Sequence, residues 1–137
     1  MAIEPPQNQA PLAVSPPYQG RHVLADFYDC AAKLDDAAVV EQGLRAAVTA
    51  AGATLLDIRL HHFGPGHGVT GIAILAESHI SIHTWPEHRY VALDLFMCGA
   101  ANDVDAGLAA IAQILLPDST KRWDHRRGYN AAVTATL

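Results

Sequence analysis

The chain has 137 residues, half of them hydrophobic, which is enough for one compact core without a disulfide scaffold or structural metal and does not require a second domain. Its 9 Lys and Arg stand against 14 Asp and Glu, a net charge of −5, so it lacks the basic excess that attracts nucleic acid or an anionic membrane surface. The N-terminus has no basic stretch followed by a long apolar one, and the longest apolar run, around residues 68–76, falls far short of a bilayer span; the expectation is a soluble, cytoplasmic protein.

Residues 1–20 carry Pro5, Pro6, Pro11, Pro16 and Pro17 among Gln and Ala, a composition that favours extended, solvated chain and predicts a disordered tail ahead of a domain over 21–137. From His22 to Asp29 the residues read as a strand, with Val23, Ala25 and Phe27 on one face and Leu24 and Tyr28 on the other. Two apolar faces predict a place inside a sheet. Asp35 or Asp36 caps a helix in which Val40, Leu44, Ala47, Val48 and Ala51 recur at helical spacing, and Gly52 ends it. Residues 53–62 alternate, Leu56, Ile58 and Leu60 against Asp57 and Arg59, as in a strand with one wet face. After the turn Phe63-Gly64-Pro65-Gly66-His67-Gly68, the apolar runs Val69 to Ala76 and Tyr90 to Phe96 read as core strands. Asn102, with Asp105 three residues later, reads as the start of a second helix whose stripe is Val104, Leu108, Ile111 and Leu115 and which Pro117 closes. Thr120 to Arg126 alternates weakly and carries too much charge for anything but an edge strand. The order is β-α-β-β-β-α-β. Hairpin-length links between the middle strands predict an α+β fold, a two-layer sandwich with an antiparallel sheet and both helices on one face.

The segment Ala76 to Glu87, AESHISIHTWPE, is odd for a structural strand because it gathers hydroxyls, imidazoles and carboxylates. If residues 79–83 are extended, His79, Ser81 and His83 share one face and Ile80 and Ile82 the other, a polar wall backed by core. Cys98 ends the next strand and can return to the same end of the sheet. Cys30 and Cys98 are too few for a disulfide framework but leave room for one bridge; Cys30 reads as packing. His22 and His125 read as surface or strand-end residues, Trp85 and Trp123 as packing, and His79 as either a carbonyl-orienting group or filler.

Four pieces occur in order: Gly20-Arg21-His22, Gly68-Val69-Thr70-Gly71, the run Glu77 to Glu87, and Asp94-Leu95-Phe96-Met97-Cys98-Gly99. Together they resemble the prokaryotic S-adenosylmethionine decarboxylases over roughly residues 20–128. The resemblance implies a proenzyme that cuts itself between Glu77 and Ser78 by an N-to-O acyl shift. Elimination and hydrolysis then leave a pyruvoyl group at residue 78, with a β chain of residues 1–77 and an α chain of 78–137. It implies that the pyruvoyl ketone forms a Schiff base with S-adenosylmethionine and accepts the electrons left by carbon dioxide, as pyridoxal phosphate does elsewhere. The resemblance also implies that the decarboxylated product feeds spermidine synthesis. By the same resemblance His83 is the processing histidine, and Thr70 stands where relatives carry a processing serine. Cys98 is the proton donor, Phe63 stacks with His83 about the adenine, and Glu87 takes the ribose hydroxyls. No residue is assigned as a metal ligand, activation by a metal ion or a diamine stays open, and the resemblance implies a homodimer with active sites near its interface.

Two rival readings remain at this level. Six of the eight histidines, His61, His62, His67, His79, His83 and His88, fall within residues 61–88, as in a metal-binding or sensory module, although the spacing matches no compact ligand motif. The other rival keeps the pyruvoyl chemistry and decarboxylates arginine or ornithine, leaving Ser78, His83 and Cys98 unchanged.

Overall fold

In the computed structural model, residues 16–99 and 101–129 are described. The expected tail falls mostly on residues 1–15, outside them. Pro16 to Gln19 belong to the fold: Gly99 donates its backbone N–H to Gln19 O at 3.1 Å, so the ordered chain begins ahead of residue 21.

Strand β1 (Gly20–Tyr28) leads to helix α1 (Ala37–Ala51), then to four strands, β2 (Leu55–His62), β3 (Val69–Leu75), β4 (Ser78–Trp85) and β5 (Tyr90–Cys98), with a single 3-10 turn (Pro86–His88) before β5. Helix α2 (Val104–Leu115) and strand β6 (Ser119–Arg127) complete the order. Among the described residues there is one sheet, β2-β3-β4-β5-β1-β6, antiparallel throughout. The architecture is the expected α+β sandwich with one strand more than expected. Propensity hides β4, because Ser78 and Thr84 stand where a core strand usually carries aliphatics. Its pairing with both neighbours and the burial of Ser78, Ile80, Ile82 and Thr84 make it central.

One sheet face is the core. Val23, Ala25 and Phe27 of β1, Val69, Ala73 and Leu75 of β3, Ile80 and Ile82 of β4, and Val91, Leu93, Leu95 and Met97 of β5 are buried with Leu44 and Ile111 from the helices. Burying a Leu, Ile, Val or Phe side chain stabilises by roughly 1.5–3 kcal/mol, so this face dominates the fold. Helix α1 starts on Asp36, whose carboxylate accepts from Ala38 N at 2.9 Å, and ends on Gly52 at φ 71°. Helix α2 is capped by Asp103, accepting from Ala106 N at 3.0 Å, not by Asn102. The Asn102 amide instead donates to Cys98 O at 3.0 Å, tying the helix start to the end of β5. The expected alternation of β2 fails at Leu56. A register shift between Leu55 and Asp57 turns Leu56 to solvent while Ile58 and Leu60 stay against the core.

The opposite face is open. It carries Leu24, Ile72, Ile74, Trp85 and Trp123, all exposed, and no helix among the described residues covers it. Trp85 and Trp123 are thus surface aromatics and not core packing. Strand β6, at the sheet edge, is exposed at every residue.

Candidate active site

The two-residue link Ala76-Glu77 joins β3 to β4, whose residues Leu75 and Ser78 are register partners. So short a link forces Glu77 to φ 62°, a left-handed conformation uncommon outside Gly, Asn and Asp. Such strain persists only where the surroundings hold it. Here the holding contact is at Ser78, 8% exposed, whose Oγ accepts from the backbone N–H of Cys98 at 3.1 Å. The Cys98 thiol donates weakly to Tyr18 O at 3.9 Å. Burial pushes the Cys98 thiol above its ordinary pKa, the Glu77 carboxylate adds to this and Arg127 opposes it, so it is protonated at neutral pH. Both cysteines are free.

Strand β4 alternates as expected, with Ile80 and Ile82 inward and His79, Ser81 and His83 on the open face. The far end of the strand is a second cluster. Thr70 and His83 are cross-strand partners, with Thr70 Oγ1 and His83 Nδ1 3.1 Å apart. Glu87 is exposed in the 3-10 turn just beyond, and Phe63, 59% exposed, sits at the end of β2 with its ring edge-on to His61 at 4.5 Å. The glycines of Gly68-Val69-Thr70-Gly71 are steric necessities. A Cβ on Gly68 would sit 2.0 Å from Thr84 O, and one on Gly71 2.5 Å from the Leu60 side chain.

The structure therefore brings together Glu77, Ser78 and Cys98 at one end of β4, and Phe63, Thr70, His83 and Glu87 at the other. Five residues separate Ser78 from His83 along one strand, about 16 Å at 3.3 Å per residue. Their side chains also leave opposite faces of the sheet.

Between the two ends lies a polar network that sequence reasoning did not assemble. Asp94 Oδ2 accepts from His22 Nε2 at 2.5 Å and from His79 Nε2 at 3.0 Å, while Ser81 Oγ donates to Oδ1. Burial alone would raise the Asp94 carboxyl. Those hydrogen bonds from Ser81, His22 and His79 outweigh it and hold the group below the usual carboxylate range. His22 is half-buried and not a loose strand-end residue. The signal was available: Asp94 is the one charged side chain within the apolar run Tyr90 to Phe96. Of the clustered histidines, only His79 joins a set able to hold a metal among the described residues, His22, His79 and Asp94.

One end of β4 thus holds a buried hydroxyl at a left-handed peptide junction, and the other a hydroxyl-imidazole pair. The family profile described as S-adenosylmethionine decarboxylase matches residues 21–128, and the chain belongs to that family. It is 46% identical over 110 residues to the S-adenosylmethionine decarboxylase proenzyme of Methanococcus aeolicus, covering 80% of this chain and 93% of that protein. To the proenzyme of the same name from Parasynechococcus marenigrum it is 44% identical over 119 residues, 86% and 92% of the two chains. The crystal structure of the adenosylmethionine decarboxylase from Aquifex aeolicus is similar at a TM-score of 0.74 and 37% identity, over 80% of this chain and 91% of that one. Within the described residues, no helix is long and apolar enough to cross a membrane.

Proposed function

We propose that the chain is a proenzyme that cuts itself between Glu77 and Ser78 and then decarboxylates S-adenosylmethionine at a pyruvoyl group made from Ser78, in a homodimer whose subunits each supply half of every active site. The observation that carries this reading is the Glu77-Ser78 junction, where a left-handed Glu77 precedes a buried hydroxyl gripped by the Cys98 N–H.

Ser78 Oγ attacks the Glu77 carbonyl carbon, the C–N bond breaks, and an ester replaces the amide. Loss of the residue 78 Cα proton then expels the Glu77 carboxylate, and water releases ammonia from the dehydroalanine to leave the ketone. The Cys98 N–H already touches Oγ, the atom that carries the departing negative charge, and stabilises it there. A base for these proton transfers must come within about 3 Å. His83 has the chemistry: with its ring proton on Nδ1 donated to Thr70 Oγ1, Nε2 is free to accept. It is about 16 Å away along its own strand.

A second copy removes the separation along the strand. Two open sheet faces packed in antiparallel sense set the His83 end of one subunit by the Ser78 end of the other, twice per dimer, and cover Leu24, Ile72, Ile74, Trp85 and Trp123. Because the Ser78 side chain lies on the core face, the two groups then meet around the end of β4, at the Ala76-Glu77 link. Each site then joins Ser78 and Cys98 of one chain to Phe63, Thr70, His83 and Glu87 of its partner.

The pyruvoyl group, when formed, supplies a carbonyl that takes the substrate amine and draws off the electrons left by carbon dioxide. Ser78 fits that fate because its side chain is already shielded from bulk water. Cys98, kept protonated by its surroundings, returns a proton to the product carbon. Phe63 offers an exposed ring to the adenine beside the cationic sulfonium, and Glu87 a carboxylate to the ribose hydroxyls. The nucleoside substrate is favoured over arginine or ornithine by relatives named for it along nearly their whole length.

Intact mass of the wild type beside Ser78→Ala tests the reading. The wild type is expected as two fragments divided after Glu77 and the variant as one chain. A wild type that stays whole at 14.6 kDa after long incubation would sink it.

A further inference from the structure

Phe96 lies in the middle of a row that crosses three strands, its register partners being His22 on β1 and His79 on β4. Both imidazoles pack on its ring, with centroids 5.5 and 5.9 Å away. Both direct Nε2 at one oxygen of Asp94, two residues earlier on β5 and on the same face. We propose that His22, His79 and Asp94 form a binding site for one divalent transition-metal ion of the zinc type, with two imidazole nitrogens and one carboxylate oxygen as ligands.

The donor set selects the ion. Magnesium and calcium take oxygen ligands, whereas two imidazoles with a carboxylate suit zinc, cobalt, nickel or ferrous iron. The three ligand atoms lie within 4.8 Å of one another, close enough to share an ion about 2.0–2.2 Å from each after small adjustments. Ser81 donates to the other Asp94 oxygen and fixes the plane of the carboxylate, the outer-shell support that metal-binding carboxylates need. All four side chains stand on adjacent paired strands, more rigid than a loop site. Without a metal, the ring protons on Nε2 fill the gap by bonding to Asp94. With one, the protons move to Nδ1 and the Nε2 lone pairs turn to the ion.

The location has a consequence that rests on the proposed cleavage. His22 belongs to the fragment ending at Glu77, whereas His79 and Asp94 belong to the fragment starting at residue 78. One ion would tie the fragments together and anchor the residue next to the new ketone. Metal binding itself does not require cleavage, so Ser78→Ala separates the two ideas.

The test is titration of the chelator-stripped full chain with Zn2+ alone by calorimetry, and with Co2+ alone by visible absorption. One ion per chain is expected in both the wild type and Ser78→Ala. His22→Gln and His79→Gln should each weaken binding by roughly 100-fold or more, and Ser81→Ala by about tenfold. A triple variant, His62→Gln, His67→Gln and His88→Gln, should bind as the wild type does, since those exposed side chains lie outside the site. Far-UV dichroism of the ion-free variants checks folding, and if one single variant misfolds the other carries the result. No stoichiometric binding, unchanged binding in the folded His22 or His79 variant, or binding lost only in the triple variant overturns the site.

Discussion

The two ends of strand β4 are built in opposite ways. At the Ser78 end the chain turns in two residues, Glu77 is forced to positive φ, and the hydroxyl is buried and held by a backbone N–H. At the His83 end the side chains stand on an open face, and Thr70, His83, Phe63 and Glu87 are partly or fully exposed. Under the proposed cleavage the contrast has a use. A hydroxyl that attacks its own peptide needs a fixed, dry position, and groups offered to a neighbouring subunit must face outward. The proposal therefore reads one strand as two half-sites completed by a second copy.

The largest expected effect would break this comparison outright if it failed. His83→Ala and Ser78→Ala chains should each remain uncut alone, yet after co-expression the His83→Ala chain should be cleaved, because its intact Ser78 end meets an intact His83 from the other chain. Mass spectrometry distinguishes the two chains. A His83→Ala chain left whole in verified mixed dimers would mean that His83 serves its own Ser78, and the half-site assignment would fall. Next in size, Cys98→Ala should lower the decarboxylation rate by roughly 10²- to 10⁴-fold, the usual worth of a positioned proton donor. Cleavage should persist, because the contact on Ser78 comes from the residue 98 backbone and survives the substitution. Loss of cleavage in step with decarboxylation would show the thiol acting in both.

Much of this division was legible in the residues, and the gaps have physical causes. The face assignments of β1 and the inner part of β4 followed from period-2 alternation, and the α1 boundaries from Gly52 and a choice between Asp35 and Asp36 that cap geometry settles on Asp36. The β4 strand itself did not enter the element count, because hydroxyls at Ser78 and Thr84 mask a buried position when their partners are unknown. Thr84 is satisfied by Leu34 O and Val69 N, contacts 50 and 15 residues away in sequence. The Leu56 bulge and the shift of the α2 cap to Asp103 are one-residue effects that pairing and cap geometry decide. At the site, residue identities came from motif resemblance. Their split between two ends came only from register, since sequence separation alone does not say that residues 78 and 98 meet while 78 and 83 do not.

A smaller effect separates functional burial from ordinary burial. Cys30 is 1% exposed, and burial, aided by Asp29 and opposed by Arg89, pushes its thiol from 9.0 up to about 11. Below pH 9 folded and unfolded chains both keep this proton and the group does not affect stability. Between pH 9 and 11 the unfolded chain releases it while the folded chain holds it, so stability falls as pH rises. The loss at pH 11 should be about 2 kcal/mol, read from denaturant midpoints, and Cys30→Ala should flatten that part of the profile. A slope unchanged in Cys30→Ala would assign it to other groups, Cys98 among them.

The smallest effect sharpens the exposed end. If Thr70 only orients His83, the hydroxyl is worth one hydrogen bond of about 1 kcal/mol, a five- to tenfold change in rate. Thr70→Val keeps the β-branched shape on the strand and should slow cleavage by about that factor, while Thr70→Ser should restore it. A collapse of more than about a hundredfold in Thr70→Val would instead place that hydroxyl on the reacting atoms, the scale expected for loss of an oxyanion donor.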